Sequence, residues 1–522
     1  MRDSRQVDQR DPEAVEAEEA AALTRSLTQA TALAQAGRTA EALAVCRPLI
    51  ARHPRDYRFL GLAGVCCARS ADVRQALLYL TDALAFAPPP AVALLSDFAG
   101  VYEQVGAPMH ALRTWRSLQG HYAHIPRPPA LPDPAPHVMA LAAQVRALPG
   151  LAGLPTERAE EALMAAERGQ LRLLAQNPLD RVESECRAAM RLAPQYPGPY
   201  LTLARAQFLA GQVAAAHATL DGLLRRPAAP AAALIDRAFY SYWAGAPVDE
   251  CRALLVQAEL TLPLDAPPAL RIALAAMWGV LGDVASVRRL LDRIVALPDP
   301  PAAAVRLIAA ALANQGDRDA ALELLRPLRG APDRHLGALI AALEHEAPVP
   351  GTPGRYPYIA WDDVLTPVTF QQFLAPPPPG RHAFWRRGPA PPPRPMRERL
   401  TAAYPRVAEV GALMLWCGDP PVEHLGVLLL KLLGTPAAEV VLEAHLRGRA
   451  GSYGGRQDAG YALVDLEALP NGTVVPFWSG TDWGEVRLYR LTPGGIFPAR
   501  QEADLAAQLE VVLGHAPAAP HH

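Results

Sequence analysis

Four groups of residues in this 522-residue chain have types that could do chemistry. Glu423-His424 and Glu443 with His445 place a carboxylate near an imidazole, the couple used for general acid–base catalysis. Both lie in helix-forming stretches, where neighbouring side chains do not face each other. Neither is a ready couple, and both read as surface polar residues. His121 and His124 have an HxxH spacing in a Pro-rich loop, with too few ligands for a metal site. Cys46, Cys66, Cys67, Cys186, Cys251 and Cys417 form no CxxC pair and read as buried free thiols. Gly448 to Gly455, with Arg447, Arg449 and Arg456, could hold an anion at the start of the next helix. Without a preceding strand it reads as a loop between helices. There is no phosphate loop, dinucleotide fingerprint, GxSxG or HExxH. No catalytic residue, cofactor site or metal site is therefore assigned, and the chain is not expected to be an enzyme.

One further stretch mixes aromatics with arginine. Arg381-His382-Ala383-Phe384-Trp385-Arg386-Arg387 lies between the proline runs 376–379 and 391–393. Interleaved rings and guanidinium groups suit a single-stranded nucleic acid. A linker that packs Phe384 and Trp385 onto a neighbouring surface is the preferred reading. Net charge −2, from 50 basic and 52 acidic residues, argues against a whole-chain nucleic-acid binder. Lys431 is the single lysine. No uninterrupted apolar run reaches the ~18 residues of a membrane span. Residues 1–20 are polar and acidic, a disordered lead-in rather than a signal peptide. A cytoplasmic protein is expected.

The elements that carry these residues repeat. Cys46, Leu80 and Trp115 are 34 and 35 residues apart. Cys186, Leu220, Leu255, Leu291 and Leu325 step by 34, 35, 36 and 34. A glycine recurs at 37, 106, 211, 245, 282 and 316, in six of the units, between their two amphipathic runs. Ala30, Gly64, Ala99, Ala204, Ala275 and Ala309 stand where two helices must approach closely. Pro54, Pro88, Pro194, Pro263, Pro298 and Pro332 end units. Alanine supplies about a fifth of the chain and aromatics only 6%, which suits closely packed thin helices. Eight units start near Leu23, Tyr57, Val92, Leu163, Pro197, Ala232, Pro268 and Ala302.

This period and pattern resembles the tetratricopeptide repeat (TPR) family. The resemblance implies an all-α solenoid of antiparallel helix pairs, whose first helices line a groove for a peptide or partner helix. It points to Arg58, Arg69, Glu103 and Gln104 in the first stack. In the second it points to Arg205, Asp236, Tyr240, Trp243, Arg306 and Asn314, with Phe208, Tyr240 and Trp243 as aromatic anchors. Leu27 and Gly61 stand where the family's clamp for chaperone C-termini carries basic residues.

The layout follows from the breaks in the repeat. Residues 21–120 form stack one, and 121–160 a Pro-rich break with an added helix at His137–Leu148. Stack two spans 161–346 and closes with a capping helix, Arg334–Glu346. Residues 347–395 are a Pro-rich linker. Within it Tyr356 to Phe373, with Trp361 and Asp362-Asp363, is aromatic for a linker and is expected to dock. Residues 396–515 carry short helices at Tyr404–Trp416, Pro421–Leu433, Pro436–Arg447 and Arg456–Leu469, two strands at Thr473–Trp478 and Glu485–Leu491, and a last helix at Gln501–Leu513. A disordered tail, 516–522, follows. The Gly418-Asp419-Pro420 junction ahead of Val422-Glu423 resembles HEAT repeats. The expected function is a non-enzymatic scaffold for a protein or peptide partner. The alternatives are a small-molecule site in the HEAT-like region, as in chromophore lyases of that kind, or a nucleic-acid adaptor using the Arg-rich linker.

Overall fold

A computed structural model describes residues 12–70, 72–175, 177–226, 230–331, 333–351, 355–365 and 396–489. The start of the acidic lead-in, the Arg381–Arg387 stretch, the 501–513 helix and the tail lie outside the described residues. The chain divides into two compact units, one of residues 1–175 with 191–196, the other of 176–190 with 197–522.

The first unit pairs α1 (Pro12–Gln35) with α2 (Thr39–Arg52), α3 (Tyr57–Arg69) with α4 (Val73–Phe86), and α5 (Val92–Gln104) with α6 (Pro108–Tyr122). Then come α7 (Pro134–Arg146), packed on α6, and α8 (Thr156–Leu174). First helices α1, α3 and α5 adjoin in order. Residues 34 to 35 apart share one environment: Cys46, Leu80 and Trp115 are all buried. Close crossings explain the small residues. A Cβ on Gly64 would sit 2.6 Å from Leu80 Cγ and 3.4 Å from the Ala76 carbonyl, so α3 and α4 meet there only without a side chain.

Helix α9 (Leu179–Leu192) follows, its first part in the second unit. That unit pairs α10 (Gly198–Leu209) with α11 (Val213–Leu224), α12 (Ala231–Trp243) with α13 (Val248–Thr261), α14 (Pro268–Val280) with α15 (Val284–Val295), and α16 (Ala302–Asn314) with α17 (Arg318–Leu325). Helix α18 (Arg334–Glu344) packs on the last pair. The six expected turn glycines all have positive φ, between 71° and 89°, a conformation that costs other residues energy. Aspartates cap several second helices: Asp283 and Asp317 accept from the backbone N–H groups of Ser286 and Ala320.

The C-terminal part of this unit contains α19 (Met396–Ala403), α20 (Val407–Trp416), α21 (Pro420–Leu433), α22 (Pro436–Arg447) and α23 (Tyr453–Asp465). The expected single helix at Tyr404–Trp416 begins only at Val407, because Pro405 disfavours the helical conformation of Tyr404 before it. Helix α23 starts three residues before the expected Arg456, since Ser452 caps it through Gly455 N–H. Strands β1 (Val474–Trp478) and β2 (Trp483–Arg487) are antiparallel, with Trp478 opposite Trp483. The hairpin rests on α22. Among the described residues, no helix is long and apolar enough to cross a membrane.

Candidate functional site

The face of interest belongs to α10, α12, α14, α16 and α18, the first helices of the second unit, which lie side by side. Such a row turns each helix's outward residues onto one surface. In the structure that surface is already covered by the chain itself, in two places.

The first cover is the segment 355–365. Asn314, at the end of α16, accepts a hydrogen bond from Tyr356 N–H at 2.7 Å through its Oδ1. Its Nδ2 donates to the Tyr356 carbonyl at 3.2 Å and to the Tyr358 hydroxyl at 3.0 Å. One amide thus matches both the donor and the acceptor of the Tyr356 backbone. The Tyr358 ring lies on α14 over Gly279, where a Cβ would be 2.2 Å from ring carbon Cδ1. Trp361 is 1% exposed. The two acids after it face basic side chains, Asp362 the His335 imidazole at 3.3 Å and Asp363 the Arg205 guanidinium at 3.9 Å. The described part of the aromatic segment expected to dock lies on the repeat's own face, and residues 366–373 lie outside the described residues.

The second cover is the 404–409 turn. The Tyr404 hydroxyl donates to the Phe208 carbonyl, and its ring meets the Phe208 ring edge-on at 5.3 Å. Phe208 in turn stacks on Tyr240 at 4.3 Å. Tyr242 donates to Glu409 at 3.0 Å, and the Arg406 guanidinium lies 4.0 Å over the Tyr242 ring. Gly245, with positive φ, abuts Pro405. Burial raises the Tyr240 and Tyr404 hydroxyls above their ordinary range and lifts Tyr242 to about 12. These groups stay protonated; Tyr404 and Tyr242 act as donors, while the buried Tyr240 hydroxyl has no hydrogen-bond partner. Asp236 is pushed up to about 6 by burial, with Arg205 opposing the shift.

The sequence-derived set therefore falls into two kinds. Phe208, Tyr240 and Trp243 are buried, and the chain's own residues pack against the Phe208–Tyr240 stack. Arg205, Asp236, Arg306 and Asn314 are half-buried on the same face. In the first unit, Arg58 pairs with Asp56 at 2.6 Å and Arg69 donates to the Ala34 carbonyl at 2.8 Å. Glu103 turns toward its own unit, accepting from Trp115 Nε1 at 2.6 Å and lying 3.0 Å from His137 Nδ1. Gln104 is exposed. Tyr404, Arg406 and Glu409 were not legible as site residues. The unusual aromatic density of Tyr356 to Trp361 was the one signal for the other cover.

The candidate chemical groups read differently in the structure. Glu423 and His445, expected on the surface, are both 0% exposed. Glu423 accepts from Ser452 N–H at 2.8 Å and from the Ser452 hydroxyl. Serine, glutamate and histidine lie together, yet neither His445 nitrogen has a hydrogen-bond partner. The Ser452 hydroxyl is committed to Glu423 and to capping α23, so this is not a relay to a nucleophile. The Gly448–Gly455 loop wraps Arg456, which is 1% exposed and donates to the carbonyls of Ala450, Gly451 and Trp478. That guanidinium faces carbonyls, not an open anion site. The six cysteines are buried and in no disulfide, and burial pushes Cys46, Cys67 and Cys186 up to about 12. Among the described residues, no three His, Cys, Asp or Glu side chains are placed to hold a metal ion.

The repeat geometry defines a TPR-like α-solenoid with a small C-terminal helical and hairpin portion. No protein-family model matches the chain, and no curated protein is significantly similar to it. Solved structures similar to it include a tetratricopeptide repeat protein from Parabacteroides merdae, at 13% identity, covering 62% of this chain and 98% of that one, with a TM-score of 0.25. The TPR domain of P58(IPK) matches at 12% identity over 62% of this chain and 97% of that one, with a TM-score of 0.22. Yeast Tom70 matches at 13% identity over 85% of this chain and 88% of that one, with a TM-score of 0.29.

Proposed function

We propose that the protein is a non-enzymatic scaffold whose first-helix faces hold segments of protein partners. One observation carries this reading. Asn314 grips both backbone groups of Tyr356, a contact that would hold a peptide backbone whatever its side chain at that position. In the second unit the occupant is internal, and Arg205, Phe208, Asp236, Tyr240, Trp243, Arg306 and Asn314 serve first to hold it. The partner-facing positions of the first unit are Arg58 and Arg69 on α3; Arg58 pairs with Asp56, and Arg69 donates to the Ala34 carbonyl and lies near Asp97.

The test is site-specific photo-crosslinking in the full-length protein. A photoreactive residue at Arg58 or Arg69 is expected to capture a partner that the same residue at the exposed Leu264 does not. Capture only from Leu264, or capture from position 58 that survives Arg69→Glu undiminished, would count against this assignment.

A further inference from the structure

Strand β2 leaves one edge of the C-terminal hairpin open. The Leu488 N–H donates to the Thr473 carbonyl and the Ser479 N–H to the Asp482 carbonyl, which sets the phase of the ladder. Along an antiparallel pair, residues alternate between bonding to the partner strand and pointing their peptide groups away. Gly484 and Val486 therefore bond to β1, and the peptide groups of Trp483, Glu485 and Arg487 point outward. These three residues are exposed, and among the described residues no other backbone group bonds to them on that side. The far edge of β1 is closed. Pro476 has no N–H to offer there, the Trp478 carbonyl accepts from the Arg456 guanidinium at 2.8 Å, and the strand rests on α22. An open edge is a template for another strand.

The side chains on this edge complement themselves. Glu485 and Arg487 are exposed and two residues apart, so they share a face of the strand. A two-fold axis at Val486 sets Glu485 of one copy opposite Arg487 of the other, twice over. The same register sets Trp483, 47% exposed, opposite Tyr489, 51% exposed. Opposite charges and aromatic pairs are the favourable cross-strand neighbours. An axis at Glu485 or at Arg487 would set like charges face to face, and an axis at Gly484 pairs neither. On the inner face the half-buried Val486 meets its own copy. Such an axis stands perpendicular to the sheet, so both α22 helices lie on one side of it. The two β1 strands are then three strand spacings apart, about 14 Å. Packed helices need only ~8–10 Å.

We propose that β2 is the interface for a second copy of this chain, which pairs antiparallel with it in the Val486-centred register to make one four-stranded sheet. Each Glu485 exchanges two backbone hydrogen bonds with the partner's Arg487 and faces its guanidinium. The inference goes beyond the scaffold reading, because it uses the hairpin and none of the first-helix faces.

Sedimentation of the full-length protein tests it, over concentrations from about 5 to about 500 µM, because an interface this small belongs to the weak, reversible class. A monomer–dimer equilibrium is expected. Glu485→Arg sets arginines opposite each other and Arg487→Glu sets glutamates opposite each other, and each is expected to weaken the dimer roughly tenfold. The double variant restores both opposite-charge pairs and should dimerise like the native chain. An equimolar mixture of the two single variants should form a heterodimer for the same reason. Glu485→Pro removes an outward N–H and no bond to β1, so it should abolish the dimer while the melting temperature stays the same. The proposal is overturned if the native protein is monomeric at the highest concentration. Slow exchange of the Glu485 and Arg487 amides in that monomer would assign the edge to residues 490–522 of the same chain. A dimer that survives Glu485→Pro, or whose single charge variants are not rescued by each other, overturns it too and places the interface elsewhere.

Discussion

Asn314 and Tyr356 are joined by two hydrogen bonds, one in each direction, between a side-chain amide and a backbone peptide group. The pair fixes the segment 355–359 to the end of α16. Replacing Asn314 with Ala leaves the Tyr356 N–H and carbonyl without their partner in a half-buried position. The expected loss is ~1–3 kcal/mol of unfolding free energy. Hydrogen exchange should show the Tyr356 amide exposed while α16 itself stays protected. Unchanged exchange at Tyr356 would mean that other contacts hold the segment.

Gly279 and Tyr358 make a prediction whose sign depends on the background. In the native chain, Gly279→Ala drives a Cβ into the Tyr358 ring, and overpacking of this kind costs ~1–3 kcal/mol. With Tyr358→Ala already in place the clash is gone. Alanine is then the better helix former by ~1 kcal/mol, so the same substitution should stabilise. A double-mutant cycle by urea unfolding reads the reversal, and two additive losses would refute the contact.

His445 ties stability to pH. Burial, with the Arg456 cation adding to it, pushes its imidazole down to about 3. The unfolded chain takes up that proton near pH 6.5 and the folded chain does not. The contribution is therefore complete above about pH 6.5 and is lost as pH falls toward 3, at ~1.4 kcal/mol per pH unit. His217, lowered to about 4 by burial and by Arg237, acts with the same sign. His445→Leu should reduce the loss of stability between pH 6.5 and 5 by ~2 kcal/mol. Parallel pH profiles for the two proteins would contradict this.

In the first unit, Glu167 is a buried carboxylate at the start of α6. It accepts from Met109 N–H at 2.7 Å and His110 N–H at 2.9 Å, and lies 2.6 Å from His110 Nδ1. A negative group there meets the free N–H groups and positive end of the helix dipole. Glu167→Ala should destabilise this unit by ~2–3 kcal/mol, because two buried donors lose their acceptor. Glu167→Gln keeps one acceptor oxygen and should recover part of that. Equal losses for both variants would indicate that bulk, not hydrogen bonding, is what Glu167 supplies.

The sequence by itself determined the repeat. The period of 34 to 36 residues, the turn glycines and the small residues at Ala30, Gly64 and Ala309 are local requirements of packing one helix on the next, and each unit restates them. Helix ends shifted by a few residues where a cap or a proline decided, as at Ser452 and Pro405. Tertiary structure alone decided what covers the first-helix face. Tyr356 reaches Asn314 across 42 residues and Tyr404 reaches Phe208 across 196, and no period links either pair. It also decided that Glu423 and His445 are interior. Helical spacing tells which residues share a face, but whether that face meets water depends on which distant segment folds over it.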